Sequence, residues 1–572
     1  MNYIIKKIKL ILITAIILFS NGIAITKEDN LKYNKNDVTN YFSGLTALKN
    51  NNTEKGFQYL KKAETLKGKH TNYNTQLIRS LILLNKFEEA FLFSKDIWKE
   101  DELLFEADLL LGIKYFIEAD YKSAKKYFER ANKISRSNFL FENFYGNIFL
   151  SWIEAYQGNQ ERSFGIIDDI PDRYDNLKQI QIAFLHGYFE TGKAETIYKT
   201  IVENKKYSFP RYNFFLANYL ITKKNDINLD LFNNEKNDSY NDHLIIKELK
   251  RLIEIKQTNQ VIKFFNYKNP DDSLAEIFYI IANMYSTEKN YNRSNFYLNI
   301  SLFLNNKFIP NKVLLAENYF YLKNYLKSKK VYNEIKKISP VYSWHASKNI
   351  SKILAKTIDA KEAISYSEKE FKLISKPNHE IYYEIGNFYK RNEICEKGIT
   401  YYTLALKNLK EDHYLVPKIL EKRGICYEKN DEWEKAEKDL LESLRLLPDQ
   451  PYTLNYLAYS WIEKKININK ALTMLKKAVA EEKNDPYIID SLGWAYYNLN
   501  DYKEAKKYLQ RAIELLPLDP TINDHYADSL WQVQKKIQAK YFWNHILLME
   551  DVDEKVRENI RQKIIFGITN NS

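Results

Sequence analysis

The sequence has little glycine, proline or cysteine for its length. Its 572 residues include 15 Gly, 12 Pro and 2 Cys. So few turn-forming residues argue against a many-stranded β architecture and against glycine-rich cofactor folds. Two cysteines are too few for a disulfide framework or a cysteine-based metal site. Cys395 and Cys426 therefore form either one disulfide or a pair of small buried residues, and the sequence leaves both possibilities open.

The sequence also lacks a concentration of one charge. It has 86 Lys and Arg against 74 Asp and Glu, a net charge of +12, and Lys alternates with Glu in segments such as 432–438. Interspersed charge is typical of solvated helix faces, whereas nucleic-acid-binding proteins gather Lys and Arg on one surface. We therefore expect no nucleic-acid partner. Hydrophobic residues make up 45% of the chain, enough to bury a core, and a helical repeat protein fits this length and composition.

Residues 1–24 have the order of a secretory signal peptide. Lys6, Lys7 and Lys9 precede an apolar run over 10–19, and small residues lead to a plausible cleavage site after Ala24. This run has half of the roughly 20 apolar residues that a membrane span needs. The mature chain, with a net charge of 12 − 3 = +9, is therefore expected in the periplasm without a membrane span. The alternative is inner-membrane anchoring through an uncleaved signal.

A 34-residue repeat covers most of the remaining chain. In the unit from Pro486, apolar and small residues fall at positions 4, 7, 8 and 11, and then at 17, 20, 24 and 27. Each set has the spacing of one face of an amphipathic helix, so a unit is predicted to be a helix pair. Small residues at positions 8 and 20 let the paired helices approach. Units are predicted to start at Asp37, Thr71, Phe105, Ala275, Ile309, His379, Pro417, Pro451, Pro486 and Pro520.

This pattern resembles the tetratricopeptide repeat (TPR) family. The resemblance implies an all-α fold, a right-handed superhelical α-solenoid of about 12 to 14 TPR-like helix pairs with a C-terminal capping helix. Its predicted segments are a signal peptide at 1–24, a linker at 25–36, a first TPR-like array at 37–222, an Asn/Asp/Lys-rich loop or hinge at 223–243, an irregular helical connector at 244–274, a second array at 275–553, and the capping helix and tail at 554–572.

The stretch 452–543 resembles one group of exported bacterial TPR proteins more specifically. The residues that carry this resemblance include Asn455-Tyr456-Leu457-Ala458-Tyr459, Asp490-Ser491-Leu492-Gly493-Trp494 and Ile522-Asn523-Asp524-His525. The best-understood type of this group binds and activates a carboxyl-terminal processing protease. The resemblance therefore implies a non-enzymatic scaffold in cell-envelope maintenance, whose partner is a protein or peptide such as an envelope protease or its substrate. The alternative is a structural protein of outer-membrane or cell-wall assembly without a peptide pocket.

A peptide site is predicted on the concave face of the last three units. By resemblance, positions 2, 5, 9, 12 and 13 of a TPR unit face the groove, and here these slots combine aromatic rings with carboxylates. Such a surface suits a segment that carries Lys or Arg. Packing of the same rings between neighbouring repeats is the alternative. The predicted site consists of Tyr452, Asn455, Tyr459, Tyr487, Asp490, Trp494, Tyr497, Asn498, Asp524, Asp528 and Trp531.

No motif in the sequence predicts catalysis, a cofactor or a metal. The segment 187–194 nearly matches a phosphate-binding loop, but Ala194 replaces the Ser or Thr whose hydroxyl would reach Mg²⁺. In the repeat frame this segment is the turn between two helices. His525 follows Asp524, yet no nucleophile has a fixed position beside it. We therefore expect no enzymatic activity, no cofactor and no metal site, and the oligomeric state stays open.

Overall fold

The computed structural model describes residues 34–135, 144–204, 209–224, 243–407, 409–550 and 552–568. Every long element in these ranges is an α-helix, and helices follow one another in contact, which confirms the all-α solenoid. The described residues form two compact units, the first up to residue 358 and the second from residue 359. The predicted signal peptide, most of the linker and residues 225–242 of the predicted hinge lie outside the described residues. In the described part, no helix is both long and apolar enough to cross a bilayer.

The first unit contains eighteen described helices. They are α1 (Lys35–Lys49), α2 (Thr53–Lys61), α3 (Thr71–Leu83), α4 (Phe87–Ile97), α5 (Phe105–Ile117), α6 (Tyr121–Ser135), α7 (Tyr145–Tyr156), α8 (Gln160–Asp168), α9 (Asp175–Tyr188), α10 (Ala194–Glu203), α11 (Pro210–Thr222), α12 (Leu244–Glu254), α13 (Asn259–Phe264), α14 (Pro270–Thr287), α15 (Tyr291–Leu304), α16 (Ile309–Tyr321), α17 (Tyr325–Ile335) and α18 (Pro340–Thr357). Short 3₁₀ turns lie at Glu64–Leu66 and Asp172–Tyr174.

The second unit contains twelve described helices, of which the last caps the array. They are α19 (Ala360–Lys372), α20 (His379–Arg391), α21 (Cys395–Leu406), α22 (Leu415–Lys429), α23 (Trp433–Leu446), α24 (Pro451–Glu463), α25 (Ile468–Glu481), α26 (Pro486–Asn498), α27 (Tyr502–Leu515), α28 (Pro520–Gln532), α29 (Lys536–Leu547) and α30 (Glu554–Phe566). The sequence predicts this capping helix, and its buried Ile560 packs against the last helix pair, α28 and α29.

The backbone confirms the predicted repeat frame. Seven first helices begin at the predicted residue, while α1, α14 and α22 begin two to five residues earlier than Asp37, Ala275 and Pro417. In all ten predicted units, position 15 is a non-glycine residue with a left-handed backbone, which ends the first helix and turns the chain into the second. These residues are Asn51, Asn85, Ala119, Lys289, Lys323, Glu393, Asp431, Lys465, Asn500 and Gln534.

Close packing within a pair follows from the small residue at position 8. A methyl group added at Gly493 would lie 2.6 Å from Cγ of Leu509, the position 24 residue of the same unit. The same clash would arise at Gly112 with Phe128 and at Gly386 with Tyr402. Interiors packed this closely leave no room for an added carbon, so a large position 24 residue requires a small position 8 residue.

The inner face of the first unit is covered by the unit's own helices. Helix α15 packs against α3, and α14 packs against α7. The buried Asn299 donates from Nδ2 to the carbonyl oxygen of Ile82 at 2.9 Å, and Phe303 stacks on Phe87 with ring centroids 4.1 Å apart. Contacts between residues so distant in sequence join the helices after the predicted hinge to the first array. The first compact unit therefore extends to residue 358 and includes the first part of the array predicted at 275–553.

Two further sequence features have clear structural positions. The near-match to a phosphate-binding loop is the turn between α9 and α10, with Gly192 in a left-handed conformation and Ala194 at the start of α10, as predicted. Cys395 and Cys426 lie on α21 and α22 of the second unit. Both are buried free thiols, and their sulfur atoms are 2.7 Å apart.

Candidate functional site

Three successive first helices carry the predicted site residues. Helix α24 packs on α26, and α26 packs on α28. Each begins with a proline, which suits the first turn because its nitrogen has no hydrogen to leave unpaired. The side chains of Asp485 and Asp519 cap α26 and α28 by accepting two backbone N–H groups each. Because all three helices begin at position 1 of their repeats, equivalent repeat positions lie side by side on neighbouring helices.

The two tyrosines at position 2 are exposed and lie close to the next unit. Tyr452 is 57% exposed and Tyr487 is 56% exposed. The nearby Asp485 and Glu482 carboxylates raise the pKa of Tyr452. Burial and the Asp519 and Asp485 carboxylates raise the pKa of Tyr487. Both rings therefore lie close to the next repeat and still present a face to solvent.

The centre of the predicted site is a stack of three rings. The Trp494 ring lies parallel to His525 at a centroid distance of 4.0 Å and parallel to Tyr497 at 4.6 Å. The Trp494 indole nitrogen donates to Glu463 at 2.8 Å. His525 is buried and its Nδ1 lies 2.9 Å from Oδ2 of Asp490. Trp494 itself is half-buried, so part of its surface remains available.

Two acceptor atoms, at position 5 of α24 and of α26, have no donor in the described part of the chain. They are Oδ1 of Asp490 and Oδ1 of Asn455, and both are buried. A buried acceptor without a donor costs about 1–3 kcal/mol, so a donor that reaches it is favoured. Tyr459 lies nearby and half-buried, and its burial and the Glu463 and Asp490 carboxylates raise its pKa.

Asp524 and Asp528 hold a lysine of the capping helix. Lys563 donates from Nζ to both oxygens of each carboxylate, at 2.8 to 3.0 Å. The indole nitrogen of Trp543 also donates to Asp524 at 3.0 Å and to Asp528 at 3.2 Å. The chain itself therefore supplies the donors to this acidic pair at the end of the predicted site, and Lys563 balances one of its two negative charges.

Burial and neighbouring charges shift the pKa values of the groups around Lys563. Burial and the adjacent Asp524 carboxylate raise the pKa of Asp528, against the opposing effect of Lys563. Burial lowers the pKa of Lys563, but the two carboxylates outweigh it and raise that pKa, so the ammonium group stays charged. Burial also lowers the pKa of His525, and Asp490, Asp524 and Asp528 together outweigh that effect and raise it.

The remaining predicted residues contact neighbouring side chains. Trp531 packs on Trp543 with centroids 5.4 Å apart, and the Lys536 ammonium group lies 5.0 Å from its ring centre. The hydroxyl of Tyr497 accepts from Gln532 at 3.2 Å. Asn498 donates to the Trp494 carbonyl one turn earlier, at 3.0 Å.

Lys563, Trp543 and Glu463 are the site residues that sequence reasoning did not assign. Lys563 lies in a segment that was predicted only as a polar cap, and no repeat position marks it. Glu463 is the last residue of α24. Trp543 lies on a second helix and reaches across to the aspartates of the first. None of these roles follows from the repeat frame, because that frame describes packing between equivalent positions.

The arrangement combines stacking surfaces with hydrogen-bond acceptors. The Trp494 and Tyr459 rings offer contact area, and carboxylate or amide oxygens lie beside them. This chemistry suits a ligand with N–H donors and apolar groups. Within the described ranges, no group of three or more His, Cys, Asp and Glu side chains is arranged to hold a metal ion.

Comparison with known proteins supports the tetratricopeptide interpretation of the repeats. A family model described as "Tetratricopeptide repeat" matches residues 486–519. The TPR repeat-containing protein PA4667 of Pseudomonas aeruginosa is 30% identical over 126 residues, which are 22% of this chain and 21% of that protein. Anaphase-promoting complex subunit 3 of Schizosaccharomyces pombe is 23% identical over 115 residues, 20% of this chain and 16% of that protein. The chain thus spans about a fifth of the length of the curated relatives it matches.

Two solved structures are similar at low sequence identity. A chain of the "APC/C hetero-tetramer Cut9-Hcn1" structure is 13% identical with a TM-score of 0.37, over 92% of this chain and 96% of that one. The structure "MamA 41-end from Desulfovibrio magneticus RS-1" is 18% identical with a TM-score of 0.28, over 31% of this chain and 100% of that one.

Proposed function

We propose that this protein is a non-enzymatic, exported scaffold that binds a protein or peptide on the inner face of its second unit. The observation that carries the proposal is the half-buried pair Tyr459 and Trp494, beside the two acceptor oxygens of Asn455 and Asp490 that have no donor in the described chain. TPR folds commonly serve protein binding, and a ligand segment with Lys or Arg supplies the donors that these oxygens lack.

The capping helix supports the choice of a cationic ligand. One repeat further along, the corresponding position 5 residue is Asp524, and it binds the Lys563 ammonium group together with Asp528. The chain thus contains an example of an ammonium group held by aspartates on this face. Asp490 has one oxygen bonded to His525 and a second, buried oxygen without a donor in the described chain, so we expect a ligand cation that displaces the side chains over this oxygen to make a similar contact.

Peptide binding can be measured directly. We expect immobilised peptides with a central Lys or Arg to bind the purified chain, and otherwise identical peptides with Glu to fail. Trp494→Ala should weaken binding by about 2 kcal/mol or more, roughly thirtyfold, if the ring contacts the ligand. A ring that only packs between repeats would instead cost about 3–5 kcal/mol of fold stability. A thermal melt on each variant separates the two results.

Asp490→Asn tests the acceptor role, because it keeps the side-chain shape and removes the charge. We expect weaker binding of the Lys and Arg peptides. Glu514→Gln, an exposed acid on α27 of the same unit, is the matched control and should bind as the wild type does. Equal binding of basic and acidic peptides, or unchanged affinity in both Trp494→Ala and Asp490→Asn, would refute the proposed site.

The compartment and the pathway are further parts of the proposal. We propose export to the periplasm with cleavage after Ala24, with an uncleaved inner-membrane anchor as the alternative, and a partner that is an envelope protease or its substrate. N-terminal sequencing of the envelope-fraction protein tests cleavage. Mass-spectrometric identification of proteins captured from envelope extract, with wild type and Asp490→Asn compared side by side, tests the partner class.

A structural role in envelope assembly is the second candidate function. The first unit favours it, because its inner face is covered by its own helices through contacts such as Asn299 with Ile82. Such a face offers no long groove for a peptide. The test is deletion of the gene, followed by complementation with the Trp494→Ala and Asp490→Asn variants. If the deletion disturbs the envelope and both variants restore it fully, the second function is supported over the first.

A further inference from the structure

A cavity of about 600 Å³ lies inside the first unit, between the inner face of the early repeats and the helices that cover it. Its lining residues come from α1, α2, α3, α5 and α7 of the early repeats and from α14 and α15. The volume falls in the range of pockets that hold small organic ligands. The cavity shares no residue with the peptide site proposed above, so the two can be tested separately.

The cavity contains a guanidinium group with an unused donor. Arg79 donates from Nε, at 2.9 Å, and from Nη2 to one oxygen of the buried Glu106. Its Nη1 makes no hydrogen bond to any described residue. Tyr145 and Tyr297 also line the cavity, and both are buried. Burial raises the pKa of both tyrosines, so their hydroxyls stay protonated.

Two more cations line the cavity, and both are exposed. Lys49 and Arg293 form no ion pair with any described carboxylate, and the Arg293 guanidinium lies 5.6 Å from the ring centre of Tyr285. Because Glu106 neutralises Arg79, the lining carries two uncompensated positive charges. An anion is therefore the charge type that this cavity favours.

Part of the rest of the wall is apolar, and the remainder includes the polar side chains of Thr53, Thr75, Gln76, Ser80 and Asn292. Leu45, Leu48, Leu83, Phe105 and Phe296 form the apolar part, and Phe296 is buried. A small inorganic anion would leave this apolar surface without a partner. A ligand that also carries an aromatic or aliphatic group would cover it, and burial of apolar area stabilises by about 25 cal/mol per Å².

We infer that the first unit binds an organic acid, a carboxylate attached to an aromatic or aliphatic group, in this cavity. The carboxylate is held by Lys49, Arg293 and the free Nη1 of Arg79, and the apolar group lies against Phe105 and Phe296. The carboxylate comes either from a free small molecule or from the C-terminal residue of a peptide. Both sources present the same chemistry to the cavity.

Calorimetric titration of the full-length purified protein tests the inference with two matched probe pairs. The first pair is 3-phenylpropanoate and its neutral amide, and the second is a tripeptide ending in Phe as the free acid and as the amide. We expect saturable binding of at least one acid and at least tenfold weaker binding of its amide. The acid that binds more tightly identifies the source of the carboxylate.

Substitutions of residues that line the cavity then test whether the acid binds there. The double variant Lys49→Gln with Arg293→Gln removes exposed charges and should weaken acid binding at least tenfold without lowering the melting temperature. Thr75→Trp fills part of the cavity and should abolish binding. Lys122→Gln, an exposed lysine of α6 that does not line the cavity, should change nothing.

Several results would overturn the inference. These are the absence of saturable binding by both acids, equal affinity for an acid and its amide, or an unchanged affinity in the double variant. Inorganic phosphate that binds as tightly as the acids would also overturn it, because the apolar walls would then contribute nothing. The melting temperature of Thr75→Trp distinguishes a blocked cavity from a misfolded unit, and the double variant keeps the test decisive if Thr75→Trp does not fold.

Discussion

Replacement of Lys563 by methionine should loosen the C-terminal cap of the second unit. The Lys563 side chain is 9% exposed, and the two aspartates that it binds are 20% and 7% exposed for Asp524 and Asp528. Methionine keeps most of the length and apolar stem but removes all four hydrogen bonds. Loss of one partner from a buried ion pair costs about 3–5 kcal/mol, because the remaining charge is left without compensation.

The size of this loss should depend on pH. Burial and the neighbouring carboxylate already raise the pKa of Asp528 above its ordinary value, and removal of Lys563 takes away an effect that lowers it. Between the ordinary pKa of an aspartate, which applies to the unfolded chain, and the raised pKa of Asp528 in the folded variant, the folded variant therefore binds more protons than the unfolded chain. Stability then rises as the pH falls. We expect a large defect at about pH 8 and a smaller one at about pH 5.

The assay should resolve the cap, because repeat arrays open locally as well as globally. Hydrogen exchange measured by mass spectrometry should show loss of protection in α28 to α30 of Lys563→Met, with the preceding helices changed little. The double variant Lys563→Met with Asp528→Asn removes the more buried of the two carboxylates left without Lys563 and should recover part of the protection. Equal protection in wild type and Lys563→Met at high pH, or a double variant no better than the single one, would refute this account.

Two other predictions follow from packing inside the second unit. Gly493→Leu should destabilise the fold by about 1–3 kcal/mol, because even the first added carbon would lie 2.6 Å from Leu509. Circular dichroism should show a lower melting temperature, and an unchanged melting temperature would contradict the packing role. Oxidised glutathione should convert the thiols of Cys395 and Cys426, 2.7 Å apart, into a disulfide while two glutathione thiols are released. Mass spectrometry should find that the chain has lost two hydrogen atoms. The disulfide closes the loop between Cys395 and Cys426 and should stabilise the unit by about 3–4 kcal/mol. Persistent free thiols would contradict the prediction.

The fold was predictable because each repeat contacts mainly its neighbours. A short set of apolar and small positions is enough to define such a pair, and the frame placed the starts of helices such as α3, α5 and α26 at the observed residue. It also located the close contact of Gly493 with Leu509. The left-handed residue at position 15 was not predicted, because residues such as Lys289 and Glu393 do not belong to the types that favour this conformation.

Contacts between distant repeats were not predictable in this way. The hydrogen bond of Asn299 to Ile82 joins residues 217 positions apart, and the bonds of Lys563 to Asp524 join residues 39 apart. The first depends on curvature that accumulates over many pairs, and the second on the direction in which the cap turns back. The repeat pattern fixes the angle within a pair but carries little information on either quantity. Whether the predicted peptide-site residues bind a ligand stays a prediction.

The position 5 residues of the last three units show where a ligand on this face would have to end. Asn455, Asp490 and Asp524 occupy equivalent positions on helices that pack side by side. The first two retain an oxygen without a described donor, whereas the third is bound to Lys563. A cationic segment that approaches from the Asn455 end can therefore bond to two units before it meets an ammonium group of like charge. The cap thus limits the length of the ligand as well as closing the apolar end of the array, and a longer basic peptide should gain no affinity over one that spans two repeats unless Lys563 is removed.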